Sequence, residues 1–292
     1  TVKWSFWGGS LALFSAVMWT IVTTKEYSPD EQAAFASGQD DTPTQPVRAL
    51  ASKSYVGSGL WVVAGLLAVL AVDALGLEKE VLLLGALLVA YGFLSAIGIT
   101  LAKRGRTANM LSSIVGDFSG MPEVMKRLAL VQFFSWSALF IMWINTTPIV
   151  TQYVFGSTDT ASVAYNEGAN WVNVLFTVYN GVAAIAALAL LPAMSRRLGQ
   201  VMTHSICLAL GAAGFLMFFF VRDAGALLLA EVGIGIAWAS ILAMPYAILA
   251  SNLPQAKLGI FMGLFNVFVV VPQLLVATVM GSIMQAYFPG EP

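Results

Sequence analysis

Charged residues are scarce in this chain of 292 amino acids: Asp, Glu, Lys and Arg make up only 10% of it, whereas 59% is hydrophobic. Soluble domains carry about 25% charged residues, which cover the folded surface. The composition therefore excludes a water-soluble globular domain and predicts an all-α polytopic helical membrane protein. The net charge of −1 provides no basic field, so we expect no nucleic-acid partner.

Histidine and cysteine are almost absent, with one residue of each. This scarcity argues against a metal centre, and Cys207 alone cannot form an intramolecular disulfide. The chain also lacks the G-x-x-x-x-G-K-[ST] phosphate-binding loop and any cluster of catalytic side chains. We therefore expect no cofactor, no ATP-driven transport by this chain itself and no enzymatic activity.

Long apolar runs are what the chain does contain. A helix that crosses a bilayer needs roughly 20 mainly apolar residues. Eight segments meet this requirement: 4–22, 56–75, 81–101, 128–150, 171–191, 201–221, 224–249 and 258–284. The chain begins at Thr1 with no charged segment before the first run, so we interpret it as a fragment rather than a protein that starts with a signal peptide.

Basic residues are distributed unevenly among the loops between these spans. If the loop after the first span is cytoplasmic, only Lys3, Lys79 and Arg222 lie on the opposite side. The cytoplasmic side then holds Lys25, Arg48, Lys53, Lys103, Arg104, Arg106, Lys126, Arg127, Arg196, Arg197 and Lys257. Because Lys and Arg accumulate in cytoplasmic loops, this asymmetry predicts the orientation. We expect segment 25–53 to be a flexible connector and 107–127 to be an interfacial helix or an ordered loop.

Polar residues inside the spans are the candidates for a functional site, because polar groups in hydrocarbon are costly and usually face a bundle interior or a cavity. In the fifth span, Asn173, Thr177 and Asn180 lie on one helical face together with Gly181. Amides and hydroxyls suit a neutral, hydroxyl-rich solute such as a sugar. Helix–helix packing through the same residues is the alternative.

The fourth span combines an amide with tryptophans. Gln132, Trp136 and Trp143 share one helical face. An amide can bind the hydroxyl edge of a sugar ring while an indole stacks on its apolar face. The alternative is an interfacial position for Gln132 and for Trp143.

The eighth span carries a second pair of amides. Asn266 and Gln273 lie seven residues apart and therefore share a face. Pro272 lies beside Gln273 and predicts a kink, since proline removes one backbone hydrogen bond. An amide pair beside a kink favours a cavity wall over plain helix packing.

The seventh span contains Glu231, eight residues past Asp223 and therefore about 12 Å deep at the rise of a helix. A carboxyl group removed from water is easier to keep protonated, which is what a proton-coupled carrier needs. Glu231 is therefore the candidate for proton coupling. A wet vestibule and an ion pair with a neighbouring helix are the alternatives. Gly235 and Pro245 predict bending or close helix approach in the same span.

Several short motifs resemble a known family. Residues 262–266 (M-G-L-F-N), followed by 271–273 (V-P-Q), are similar to a motif of the disaccharide:proton symporter branch of the major facilitator superfamily, related to glycoside–pentoside–hexuronide:cation symporters. Segments 25–27, 130–136, 165–171 and 238–247 add to the resemblance.

The link between the fifth and sixth spans also bears on this resemblance. Arg196 and Arg197 lie in a segment that resembles a degenerate copy of the superfamily's basic gating loop. The family's loop has an acidic residue before the arginines, and this chain lacks it. His204, which follows closely at the edge of the sixth span, is interpreted as an interfacial residue.

The resemblance implies a division of the chain and a set of partners. Residues 1–23 would be the last helix of an N-terminal half, and 24–127 a central cytoplasmic loop with an inserted hydrophobic hairpin at 56–101. Residues 128–292 would be a C-terminal helical bundle without its last helix. The implied partners are a sugar, protons, the lipid bilayer of a bacterial inner membrane and the missing N-terminal helices of the same protein.

The expected function is secondary active transport of a sugar, and of a disaccharide in particular, coupled to protons by alternating access. The predicted cavity-lining residues are Asn173, Thr177, Asn180, Asn266 and Gln273, with Gln132 and Trp136 as further candidates. The alternatives are a carrier for another solute, a sodium-coupled glycoside symporter and a membrane sugar sensor that does not transport.

Overall fold

The structure is a computed structural model that describes residues 2–23, 50–75, 81–106, 110–253 and 257–288. The chain divides into two compact units, residues 1–42 and 43–292. In the first unit the described element is helix α1 (Val2–Thr23). Most of the predicted connector at 25–53, including the motif at 25–27, lies outside the described residues.

The second unit is built from α-helices joined by short links. These helices are α2 (Val56–Leu75), α3 (Val81–Lys103), α4 (Met110–Ser119), α5 (Glu123–Ile149), α6 (Val163–Ile185), α7 (Leu191–Leu198), α8 (Gln200–Phe220), α9 (Leu227–Asn252), α10 (Leu258–Phe265) and α11 (Val267–Tyr287). A π-helical turn extends α5 over Val150–Val154, and a second one joins α6 to α7 over Ala186–Leu190. The described residues contain no β-strand, which confirms the predicted all-α class.

Six helical segments are long and apolar enough to cross a membrane. They are Val81–Lys103, Glu123–Val154, Val163–Leu198, Gln200–Phe220, Leu227–Asn252 and Leu258–Gly281. Each coincides with a predicted span. In α1 and α2 the apolar stretches within the described residues are shorter, at Leu13–Thr23 and Val56–Val72. The chain is therefore an integral, multi-pass membrane protein.

Glycines allow the central helices to approach closely. A Cβ atom at Gly214 on α8 would lie 2.5 Å from the carbonyl oxygen of Ala230 on α9. A Cβ atom at Gly235 on α9 would likewise lie 2.5 Å from the carbonyl oxygen of Tyr179 on α6. Small residues are common where membrane helices associate, because van der Waals packing drives the association. Gly235 is thus a packing contact between α6 and α9.

Helices α2 and α3 pack against each other, and α3 also packs against α4. Ser58 on α2 donates a buried hydrogen bond of 3.1 Å to Ser95 on α3. Gly98 on α3 faces Val115 of α4, which is buried. The segment predicted as an interfacial helix or an ordered loop therefore contains a helix that packs on α3.

Prolines and helix interruptions do not coincide in the last two predicted spans. Helix α9 continues through Pro245, and α11 continues through Pro272. The interruption lies instead at Asn266, six residues before Pro272 and between α10 and α11. Kinks at Pro245 and Pro272 stay predictions. Pro192 differs, because a π-helical turn precedes it. The wider backbone of this turn accommodates the proline ring, which would clash with the preceding turn of an α-helix.

Candidate functional site

Helix α6 presents an open polar face. Asn173, Thr177 and Asn180 are exposed, as is Gly181, so no described helix covers them. Each of the three polar side chains donates to the carbonyl four residues earlier, at 3.3, 2.7 and 2.8 Å respectively. The two amide oxygens accept no hydrogen bond from the described residues and remain available to a ligand. The alternative of helix packing through this face is not realised in the described part of the chain.

The position of this face follows from how α6 is anchored. Ser162 caps the helix by accepting a hydrogen bond of 3.1 Å from the backbone N–H of Tyr165. A different face, with Leu175 and Tyr179 buried, packs against α9. Trp171 donates its indole N–H to the carbonyl of Ala224, 2.9 Å away, at the link that precedes α9. These contacts hold α6 on α9 and leave the polar face uncovered.

The amides of the eighth predicted span lie elsewhere in the bundle. Asn266 is exposed at the interruption between α10 and α11, and its Oδ1 accepts a hydrogen bond of 2.6 Å from the Tyr246 hydroxyl. Gln273 is half-buried and donates to the carbonyl of Val269 at 2.9 Å. Helix α11 packs mainly on α5, whereas α6 packs mainly on α9. The structure therefore shows two separate polar patches rather than one continuous site.

Gln132 and Trp136 lie inside the bundle. Gln132 is fully buried, and neither its Oε1 nor its Nε2 has a hydrogen-bond partner among the described residues. The indole N–H of Trp136 is likewise buried without a partner. Neighbouring helices therefore enclose Gln132, while its depth in the membrane stays a prediction. Buried polar groups without partners are rare in native proteins, which makes these two side chains candidates for contact with water or a ligand.

Three partly buried tryptophans pack against a core cluster of α5, α6 and α9 that includes Leu139, Tyr179 and Ile234. The Trp136 and Trp238 rings lie 5.6 Å apart, and the Trp143 and Trp238 rings 5.5 Å apart, both in edge-to-face contact. Trp143 donates its indole N–H to the Tyr179 hydroxyl at 3.2 Å. Trp143 is thus a packing residue between α5, α6 and α9, and its place in an interfacial belt stays a prediction.

Glu231 is enclosed where α9 meets α6. Its side chain is 0% exposed, and neither carboxyl oxygen has a hydrogen-bond partner among the described residues. Leu227, one turn earlier, clusters with Leu175 of α6, and Gly235, one turn later, contacts Tyr179. Both alternatives for Glu231, a wet vestibule and an ion pair, disagree with these surroundings.

The structure does not bring Glu231 and Gln132 together. Helices α5 and α9 run in opposite directions, because the end of α5 meets the start of α9. Gln132 precedes Trp136 by four residues, and Glu231 precedes Trp238 by seven. The two groups therefore lie on opposite sides of the contact between Trp136 and Trp238, roughly 16 Å apart along the helix axes.

The basic link lies at the surface. Arg196 and Arg197 are exposed in the last turn of α7, where positive charge suits the negative end of a helix. Gly199 follows with φ of 80°, a left-handed conformation that glycine adopts readily, and reverses the chain into α8. The proposed gating role of the two arginines stays a prediction.

Two polar contacts were missed by sequence reasoning. Lys257 Nζ lies 2.8 Å from Asp117 Oδ1, and the Asp117 side chain is 1% exposed, so this ion pair ties α4 to the link before α10. His204 is also buried, and its Nδ1 shares a hydrogen bond of 2.8 Å with Ser240 Oγ. His204 is therefore a packed residue of α8, and its depth at the membrane edge stays a prediction. Neither pairing leaves a local sequence signal, because the partners are far apart in the chain.

The fold and these sites define the class of the protein as an all-α, multi-pass membrane protein with an open polar face and enclosed polar groups. Comparisons of the chain with protein-family models, with curated proteins and with solved structures gave no match.

Proposed function

We propose that the protein takes part in secondary active transport of a neutral, hydroxyl-rich solute, specifically a sugar of the disaccharide class, coupled to protons by alternating access. The observation that carries the proposal is the open face of α6 with Asn173, Thr177 and Asn180. Polar side chains on a membrane helix are costly against hydrocarbon, so such a face is expected to meet water, protein or cargo.

The chemistry of this face suits sugar hydroxyls. A carboxamide offers an acceptor oxygen and two N–H donors, and only one donor of Asn173 and of Asn180 is engaged by the helix backbone. A hydroxyl group of the solute can donate to the free oxygen and accept from the remaining N–H. No charged side chain lies on this face, which favours a neutral solute over an ionic one. Asn266 and Gln273 would supply a second patch.

Glu231 is the candidate for proton coupling. Its carboxyl group lies at the interface of α6 and α9 without a donor or a cation among the described residues. Helix movements during alternating access would admit water to this interface and allow the group to exchange its proton. Arg196 and Arg197 would act in the cytoplasmic gate, in the orientation that the distribution of basic residues favours.

The motif resemblance at 262–266 and 271–273 supports the same proposal. It favours the disaccharide:proton symporter branch of the major facilitator superfamily and a location in a bacterial inner membrane. Under this proposal the N-terminal helices of the same protein would complete the cavity.

Uptake of labelled sucrose and maltose into proteoliposomes of the full-length protein tests the proposal. An inward proton gradient should drive accumulation of at least one of the two sugars. Asn173→Ala and Asn180→Ala should raise KM about tenfold, as expected for the loss of a solute hydrogen bond. Asn252→Ala is the matched control, because its exposed amide makes the same bond to its own helix outside this face.

The alternatives predict different outcomes. Uptake driven by a sodium gradient but not by a proton gradient would replace proton coupling by sodium coupling. Sugar binding without uptake would indicate a sensor. If neither sugar bound nor moved under any gradient, the sugar assignment would fall, and other solutes would have to be screened.

A further inference from the structure

A cleft of about 810 Å³ opens between the C-terminal ends of α5, α8 and α11. This volume lies in the range of roughly 300–1,000 Å³ that is typical of small-molecule sites. Two walls, from α5 and α8, belong to segments that are apolar enough to span a membrane, and the third comes from the end of α11, just past the apolar segment that ends at Gly281. The cleft is therefore separate from the polar face of α6 and from the enclosed Glu231.

The walls of the cleft are mostly apolar. Ile141 and Met142 of α5, Phe215 and Phe218 of α8, and Met284 of α11 line it. Side chains of this kind offer an acyl chain the same surroundings as the bilayer core. The cleft alone would accept any apolar occupant, including a helix.

A cation at the mouth of the cleft narrows the choice of occupant to a molecule that carries a negative charge. Arg222 is exposed, and its guanidinium carbon lies 5.1 Å from the centroid of the Tyr153 ring. One nitrogen, Nη1, donates to the carbonyls of Phe218 and Val221 at 3.1 and 3.3 Å. The other two nitrogens have no partner among the described residues, and no ion pair to Arg222 occurs there.

The neighbouring carboxylate is engaged elsewhere. Asp223 Oδ1 accepts a hydrogen bond of 2.7 Å from the backbone N–H of Ala226, just before α9 begins. The guanidinium therefore keeps donors for an anion. Tyr153 and the exposed Tyr287 mark the depth of the lipid headgroups, because tyrosine is enriched at membrane–water interfaces.

We infer that the cleft between α5, α8 and α11 is a binding site for an anionic phospholipid, with an acyl chain along Met142 and Phe215 and the phosphate at Arg222. The cleft has an apolar wall at the depth of the acyl chains and an unpaired cation at the depth of the headgroups. It is therefore complementary in shape and charge to such a lipid. A transmembrane helix would fill the apolar part equally well but would leave the cation without a partner. The inference does not depend on the proposed transport function.

Native mass spectrometry of the full-length protein in detergent tests the site. Phosphatidylglycerol and phosphatidylcholine with identical acyl chains are added in turn, and their dissociation constants are compared. We expect phosphatidylglycerol to bind about fivefold more tightly, the effect of one basic residue at a membrane surface. Arg222→Gln should abolish this preference, whereas Arg104→Gln, which removes an exposed charge distant in the chain, should leave it unchanged.

A second variant tests the cleft itself. Ala138 lines the cleft, so Ala138→Phe should fill it and weaken the binding of both lipids. Equal binding of the two lipids to the unaltered protein would overturn the inference. So would a preference that survives Arg222→Gln, or lipid binding that Ala138→Phe leaves intact. Cross-linking of an Ala138→Cys variant to a helix in native membranes would show that protein occupies the cleft and would also overturn the inference.

Discussion

The polar groups of α6 and those enclosed among α5, α6 and α9 meet opposite environments. On α6, Asn173, Thr177 and Asn180 are exposed, yet each is bonded to its own helix. In the interior, Gln132 and Glu231 are 0% exposed, yet neither has a hydrogen-bond partner among the described residues. This reverses the usual pattern, in which buried polar groups are satisfied and exposed ones bind water.

The difference indicates what each group contributes. Removal of an exposed side chain that bonds only to its own helix changes stability by less than about 0.5 kcal/mol. A buried polar group without a partner costs about 1–3 kcal/mol relative to a satisfied one. Substitutions on α6 should therefore affect solute affinity alone, whereas substitutions of the enclosed groups should also change stability.

The largest effect is expected where a polar group is both enclosed and paired. Asp117 is 1% exposed in its side chain and lies 2.8 Å from Lys257. Lys257→Met would leave the carboxylate buried without its cation and should reduce the free energy of unfolding by about 3–5 kcal/mol. Denaturant titration of the full-length protein in detergent micelles measures this quantity.

A surface pair in the same protein provides the control. Arg127 and Glu123 form an ion pair with side chains 79% and 66% exposed, so Glu123→Gln should change the free energy of unfolding by less than about 1 kcal/mol. The double variant Asp117→Asn with Lys257→Met should recover most of the loss, because no buried charge remains. Similar small effects for Lys257→Met and Glu123→Gln would contradict the enclosed position of Asp117.

Two glycines sharpen the same contrast between closed and open faces. A Cβ atom at Gly235 would lie 2.5 Å from the Tyr179 carbonyl oxygen, so Gly235→Ala forces α6 and α9 apart and should cost about 1–3 kcal/mol. A Cβ atom at Gly181, on the open face, would meet no atom of the described residues within 4 Å. Gly181→Ala should therefore stabilise the helix by up to about 1 kcal/mol.

Thermal unfolding in detergent distinguishes the two variants by sign. A lower midpoint for Gly235→Ala with an equal or higher midpoint for Gly181→Ala is expected. Destabilisation by both to the same extent would mean that the face of α6 is covered in the folded protein.

Sequence reasoning predicted those features that depend on local composition and periodicity. Six predicted spans match helices of sufficient length. They could be predicted because the free energy of transfer to hydrocarbon is a property of each residue, so a long apolar run is enough to indicate a span. The common face of Asn173, Thr177 and Asn180 follows from the 3.6-residue repeat of a helix.

Features that depend on neighbouring helices could not be predicted in this way. Periodicity places Gln132 and Trp143 on one face but does not say which neighbouring helices pack on that face. The ion pair between Asp117 and Lys257 joins residues 140 positions apart. The interruption at Asn266 also lacks a breaker of its own, since the nearby proline lies six residues later.

The last prediction concerns Glu231, where stability and function should move in opposite directions. Leucine has a similar volume and needs no hydrogen bond, so Glu231→Leu should raise the free energy of unfolding by about 1 kcal/mol. Glu231→Gln keeps a buried polar group without a partner and should leave the free energy of unfolding nearly unchanged. Both variants remove the exchangeable carboxyl proton and should abolish proton-driven uptake while sugar binding persists. A loss of stability in Glu231→Leu would indicate that the carboxyl group has a partner, such as a bound water, and is satisfied in the folded protein.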